Sequence, residues 1–238
     1  MNRDERLRAV DSPNSVIDCL QSIDLSLAGV PRRVEQCLSV TKGDYQQEFS
    51  SILLAAQERG VSLADDRWWL LVAFVFGNSS PAVEEAVLRA AASGYSAQPT
   101  TFVGEALVRV LEYCWFDAAD PDAVEYHYWA CGQLAAKFSD HAEGLILDRL
   151  TIQWNPLKRR SLILAVGVLA HAPLLHRLQT STTSVVMRIL SDDGEPSLVR
   201  EAAKEVLLED LLRADREQAF LLPTQRQEIE TLTGSGDE

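Results

Sequence analysis

Apolar residues recur along almost the whole chain at i, i+3, i+4 and i+7, the spacing of one helix face, and no stretch alternates as a strand would. The pattern predicts helices beginning near Ser15, Pro31, Asp44, Asp65, Pro81, Thr101, Pro121, His141, Pro156, Ser181, Pro196 and Thr224. Between them lie "GNSSP", "SGYSAQPT", "DAADPD", "WNP" and "SDDGEP", short breaks made of turn-forming residues. Short connections between many short helices imply antiparallel neighbours packed in pairs. Two runs, "WWLLVAFVFG" at 68–77 and "SLILAVGVLAHA" at 161–172, predict fully buried helices. Both are shorter than the roughly 18–20 apolar residues that span a bilayer.

The helices repeat. Pro81, Pro121, Pro156 and Pro196 are spaced by 40, 35 and 40 residues, each where a helix is predicted to start. Proline suits the first turn, where its missing N–H would have no partner in any case. Ser80, Asp120 and Asn155 precede three of these prolines and are good N-caps. Seven and ten residues after each proline stand Leu88 and Ala91, Tyr128 and Cys131, Ile163 and Val166, Ala203 and Val206. All eight are apolar and share one face, the pattern that stacked helix pairs require.

The last of these repeats, "ILSDDGEPSLVREAAKEVL" at 189–207, resembles the second half of a HEAT-type repeat. Leu190 and Asp192 or Asp193 close one helix, the Val199–Arg200 pair opens the next, and Ala203 and Val206 follow on its inner face. "CWFDAADPDAVEYHYWAC" and "FVFGNSSPAVEEAVLRAA" share the outline with Glu in place of Arg, and "WNPLKRRSLILAVGVL" lacks the turn Asp. The resemblance implies an all-α, right-handed α-solenoid of stacked antiparallel helix pairs. The expected layout is a flexible N-terminus (1–13), one helical-repeat domain (14–233) and a disordered tail (234–238). Within the domain, irregular helices occupy 14–64, HEAT-like repeats 65–213 and capping helices 214–233.

Composition leaves this picture of a globular protein in place, with 47% apolar and 24% charged residues. The charged start "MNRDERLRAV" lacks the apolar core of a secretory signal, so the expected location is cytoplasmic, with no membrane contact. Cys19, Cys37, Cys114 and Cys131 each fall within an apolar helical pattern and read as buried, reduced side chains.

Charge changes the picture more. A net charge of −13 argues against a generic nucleic-acid binder, which relies on clustered Lys and Arg. Residues 149–190 nonetheless carry six basic and no acidic side chains, and residues 191–238 carry 13 acidic against five basic. Lys158, Arg159 and Arg160 crowd the first turns of a helix, where a cation opposes the helix dipole, so another interaction must hold them. That interaction is either an acidic partner or an internal ladder between repeats, as Arg160 with Glu125 would make. Six of the 17 aromatic residues fall between Tyr113 and Trp129, as core packing or as an interface.

Signals for chemistry are thin. His127 and Cys131 share a helix face near Cys114 and Asp117, and His171 lies five residues from His176, without a CxxC or HExxH anchor for a metal. No nucleophile elbow, phosphate loop or dinucleotide fingerprint is present. The sequence therefore reads as a non-enzymatic scaffold, without cofactor or metal. It would bind a protein partner as adapter, regulator or immunity-type inhibitor. The partner-binding residues expected on its curved face are Trp129, Lys158, Arg159, Arg160 and Lys204. The rival reading is nucleic-acid binding, similar to the HEAT-like glycosylases that excise alkylated bases, through the basic band at 149–190. A bilin-lyase-like role is a third possibility that no residue demands.

Overall fold

The computed structural model describes residues 13–38, 45–77, 89, 99–114, 121–171 and 179–234. Every regular element among them is helical and none is a strand. The chain divides into two compact units, Met1–Val110 and Leu111–Glu238. Several expectations fall outside the described residues: the helix at Pro81 with Leu88 and Ala91, the caps Ser80 and Asp120, and Trp115, Phe116, Asp117, His176 and Arg177.

In the first unit α1 (Pro13–Ser22), α2 (Val30–Leu38), α3 (Tyr45–Glu58) and α4 (Asp66–Gly77) pack together. Val16, Ile17 and Leu20 of α1 and Val30, Val34 and Cys37 of α2 supply apolar stripes at helical spacing. Helix α4 is buried along Trp68–Gly77, as its unbroken apolar run predicts. Asp65 begins it, its carboxylate accepting from the Arg67 amide at 2.9 Å. Helix α5 (Pro99–Tyr113) follows, and the division between units falls inside it. Within the first unit Arg109 of α5 lies 4.3 Å from the Trp69 ring centroid and 3.3 Å from Asp66.

One expectation about the cysteines is corrected here. Cys19 and Cys37 form a disulfide between α1 and α2, with Cα atoms 5.7 Å apart. Each does lie in an apolar helical pattern. The turn through Gly29, whose φ is +73°, folds α2 back along α1 and brings the two within bridging distance. Cys114 and Cys131 are free and buried. Closing an 18-residue separation stabilises by about 3 kcal/mol through the entropy of the unfolded chain. Cys19→Ser with Cys37→Ser is expected to lose that amount in urea unfolding. Alkylation in denaturant without reductant is expected to label two thiols per chain, and labelling of all four would contradict the bond.

The second unit continues with α6 (Pro121–Phe138), a 3-10 turn (Ser139–His141), α7 (Ala142–Ile152), α8 (Pro156–Ala170) and α9 (Thr180–Ser191). Then α10 (Ser197–Glu205), a π-helical turn (Val206–Leu211) and α11 (Leu212–Gln218) run on without a break, and α12 (Pro223–Thr233) closes the unit. Helix α8 is the centre, packed against α6, α7, α10 and the π-turn. Its start follows the sequence closely: Pro156 opens it and Asn155 Oδ1 accepts from the amides of Leu157 (3.0 Å) and Lys158 (3.3 Å). Ile163, Val166, Ala203 and Val206 are all buried, as their spacing predicts.

Tyr128 is not. It is 58% exposed, and His127 takes the inward position at 0%. The apolar neighbours decide this register: Ala123, Ala130, Cys131 and Leu134 share a face with position 127, at i−4, i+3, i+4 and i+7, and all are buried.

Buried polar groups in this unit are joined across 34–39 residues of sequence. Glu112, at 0% exposure, accepts from Arg149 Nε at 2.6 Å and Nη2 at 3.0 Å, and from Gln153. Glu143 accepts from the Thr182 hydroxyl at 2.8 Å and the Gln179 amide at 3.0 Å. Arg159 pairs with Glu195, and His127 Nε2 donates to the Ser161 carbonyl at 3.0 Å. Arg149–Glu112, Thr182–Glu143, Arg159–Glu195 and His127–Ser161 span 37, 39, 36 and 34 residues. Such groups could not be left unpaired in the interior without a cost of about 1–3 kcal/mol each.

Candidate functional site

The run at 161–172 was expected to be buried all round, and one strip of it is open. Arg160, Leu164, Val168 and His171 stand at i, i+4, i+8 and i+11 on α8, and none is fully buried. They line a cleft of about 340 Å³. Tyr128 of α6 stands on one side, and Glu205 and Asp210 close the other. Leu164 and Val168 give it an apolar floor, and the charged side chains sit around the rim. The lining combines one exposed aromatic ring, two aliphatic side chains and four ionisable groups.

Two local features shape the acidic side. Glu205 ends α10 and Asp210 lies within the π-turn. In an α-helix, residues five apart point about 140° away from each other. A π-turn closes its hydrogen bonds at i→i+5, and here both carboxylates reach the same cleft. The second feature is Gly167. A methyl group there would overlap the Asp210 carboxylate, with Asp210 Cγ at 2.8 Å and Val206 Cγ2 at 3.2 Å. Glycine thus lets the π-turn approach α8 and seats Asp210 beside His171, whose Nε2 lies 2.7 Å from Asp210 Oδ1. Gly167→Ala is expected to displace Asp210, break this contact and cost about 1–3 kcal/mol by overpacking, read in urea unfolding. Unchanged stability with the His171–Asp210 contact intact would contradict it.

Of the residues expected to bind a partner, the structure brings only Arg160 into the cleft. Trp129 is half-buried on α6 and Lys204 is exposed on α10, and neither lines it. Lys158 lies with its ammonium 3.8 Å from the Tyr113 ring centroid, a cation–π contact that holds it at the helix start. Arg159 is 7% exposed; besides Glu195 it donates to the carbonyls of Leu150 (2.6 Å) and Gln153 (2.9 Å) at the end of α7. A cation at a helix C-terminus favours the dipole, which offsets its position near the start of α8. The interactions inferred for the Lys158–Arg160 cluster are thus internal for Lys158 and Arg159. The ladder runs through Arg149 and Arg159 rather than Arg160 with Glu125, which is exposed on α6.

The candidate metal ligands are used otherwise. Burial pushes the His127 imidazole down to about 4, so it is neutral at pH 7 and donates to Ser161, and burial raises the Cys131 thiol, whose Sγ faces the Ala165 carbonyl at 3.9 Å. Among the described residues no group of three or more His, Cys, Asp or Glu side chains is placed to hold a metal ion.

Sequence reasoning missed Tyr128, Leu164, Val168, Glu205 and Asp210 as cleft residues. The 160, 164, 168, 171 spacing and the glycine inside an apolar helix were the available signals. The π-turn had none. Comparison with protein-family models, with curated proteins and with solved structures returns no match. No helix among the described residues is long and apolar enough to cross a membrane.

Proposed function

We propose that this chain is a non-catalytic, HEAT-like helical-repeat protein that binds a protein partner through the α6–α8–π-turn face. The observation that carries the reading is the exposed Tyr128 ring beside a cleft with an apolar floor and a charged rim. Tyrosine at such a place adds contact area at low entropic cost and is common at interface hot spots. Contacts recurring at separations of 34–39 residues support the stacked-repeat architecture, and its right-handed curvature rests on the HEAT-type resemblance alone.

Nucleic-acid binding is the weaker reading. It needs the basic band at 149–190 to converge on a groove, and Arg149 and Arg159 give their charge to Glu112 and Glu195. A cytoplasmic location, expected from the sequence, fits poorly with the Cys19–Cys37 bond, because the reducing cytosol keeps thiols reduced.

Affinity capture from extracts of the native host tests the reading, with the natural chain and with Tyr128→Ala combined with Glu205→Lys. Both are exposed positions, so folding is retained. A protein retained by the natural chain, resistant to nuclease and lost with the double change, is the expected result. Recovery of nucleic acid, or of partners that vanish with nuclease, would overturn it.

A further inference from the structure

We propose that the cleft is an arginine-recognition site, taking one arginine side chain from a basic surface of the partner; this rests on the protein-binding reading above. Glu205 and Asp210 would hold the guanidinium, and Tyr128, Leu164 and Val168 would cover its aliphatic stem.

Glu205 makes no hydrogen bond or ion pair with any described residue. Asp210 gives one carboxylate oxygen to His171, and its other oxygen lies against Gly167, which has no side chain to bond it. Arg160 has interactions of its own. Besides the Tyr128 hydroxyl and the second nitrogen of His171, the charged groups of the cleft with bonding capacity left are the two carboxylates, and carboxylates bind cations.

Shape narrows the cation. At about 340 Å³ the cleft is at the small end of ligand sites, room for one long side chain. A methylene stem lies naturally on Leu164 and Val168. The exposed Tyr128 ring offers a face on which a planar guanidinium stacks. The fork of donors on that guanidinium can reach two carboxylates together, which the point charge of a lysine does less well. The π-turn is what places Glu205 and Asp210 on one side for such a fork.

Long-range charge agrees. The segment that supplies both carboxylates, residues 191–238, holds 13 acidic and five basic residues, within a chain of net charge −13. Such a field draws a basic surface towards the cleft.

The test titrates isotope-labelled full-length protein with acetyl-Gly-Arg-Gly-amide, followed by NMR. Peptides with lysine, citrulline or glutamate in place of arginine run in parallel. The arginine peptide is expected to give saturable shifts confined to the amides of Glu205–Asp210, Gly167 and Tyr128. Citrulline, isosteric but uncharged, and Glu205→Gln in the protein are each expected to weaken binding about tenfold, the loss of one charge-assisted contact. Thermal unfolding of Glu205→Gln is expected to match the natural chain, since the residue is exposed. Equal binding of citrulline, preference for the glutamate peptide, or shifts that never saturate would overturn the assignment. A partner captured in extracts while the arginine peptide fails would sink the arginine site alone and leave the protein-binding reading standing.

Discussion

Arg149→Ala is expected to destabilise the 111–238 unit by about 3–5 kcal/mol, the cost of leaving a buried charge without its partner. Glu112 is completely buried and receives a two-pronged contact from Arg149. With the guanidinium gone, Gln153 still donates to the carboxylate but brings no charge. The cost comes from the orphaned charge, so removing both charges should differ. Glu112→Leu with Arg149→Met is expected to recover most of the loss, since well-packed apolar replacements of ion pairs are often neutral. Urea unfolding of the three proteins reads both expectations. A loss below about 1 kcal/mol for Arg149→Ala, the scale of a surface pair, would mean that Glu112 reaches solvent.

The second large effect is a dependence on pH. His127 is held at about 4 by burial, against 6.5 in the unfolded chain. Between these values the unfolded chain takes up a proton that the folded chain refuses. The stabilisation is therefore complete above pH 6.5 and is lost as pH falls towards 4, by about 3 kcal/mol in all. His127→Gln keeps a donor for the Ser161 carbonyl and removes the titration. The difference in unfolding free energy between the two proteins is expected to shift by that amount from pH 7 to pH 4. Parallel curves across this range would contradict the assignment.

His127 also shows where the sequence was legible and where it was not. Helix starts and the inner face of α8 could be read because their chemistry is local: a capping Asn155, a Pro156, and apolar residues at fixed spacing. The facing of α6 was misjudged because Tyr128, seven residues after Pro121, was aligned with the inner positions of the other helices. Four apolar neighbours, Ala123, Ala130, Cys131 and Leu134, settle the helix the other way, and a buried neutral histidine with one good hydrogen bond costs less than a displaced core. The disulfide and the π-turn depend on how elements meet in space. A spacing of 18 residues between Cys19 and Cys37 says nothing until α2 folds along α1. Glu205 and Asp210 look like ordinary solvated carboxylates until the widened turn points them together. The basic band was visible in the sequence, but its use was not: Arg159 spends its charge on Glu195 and on the end of α7, and among the band's described residues only Arg160 reaches the cleft.

The central claim is that the α6–α8–π-turn face meets a protein. A photo-crosslinking amino acid placed at Tyr128 tests it most directly, with the same group at Glu228, exposed on α12, as the comparison. Irradiation in the native host is expected to give a discrete, nuclease-resistant protein adduct from position 128 and none from position 228. An adduct of nucleic acid at 128, or the same adducts from both positions, would contradict the account.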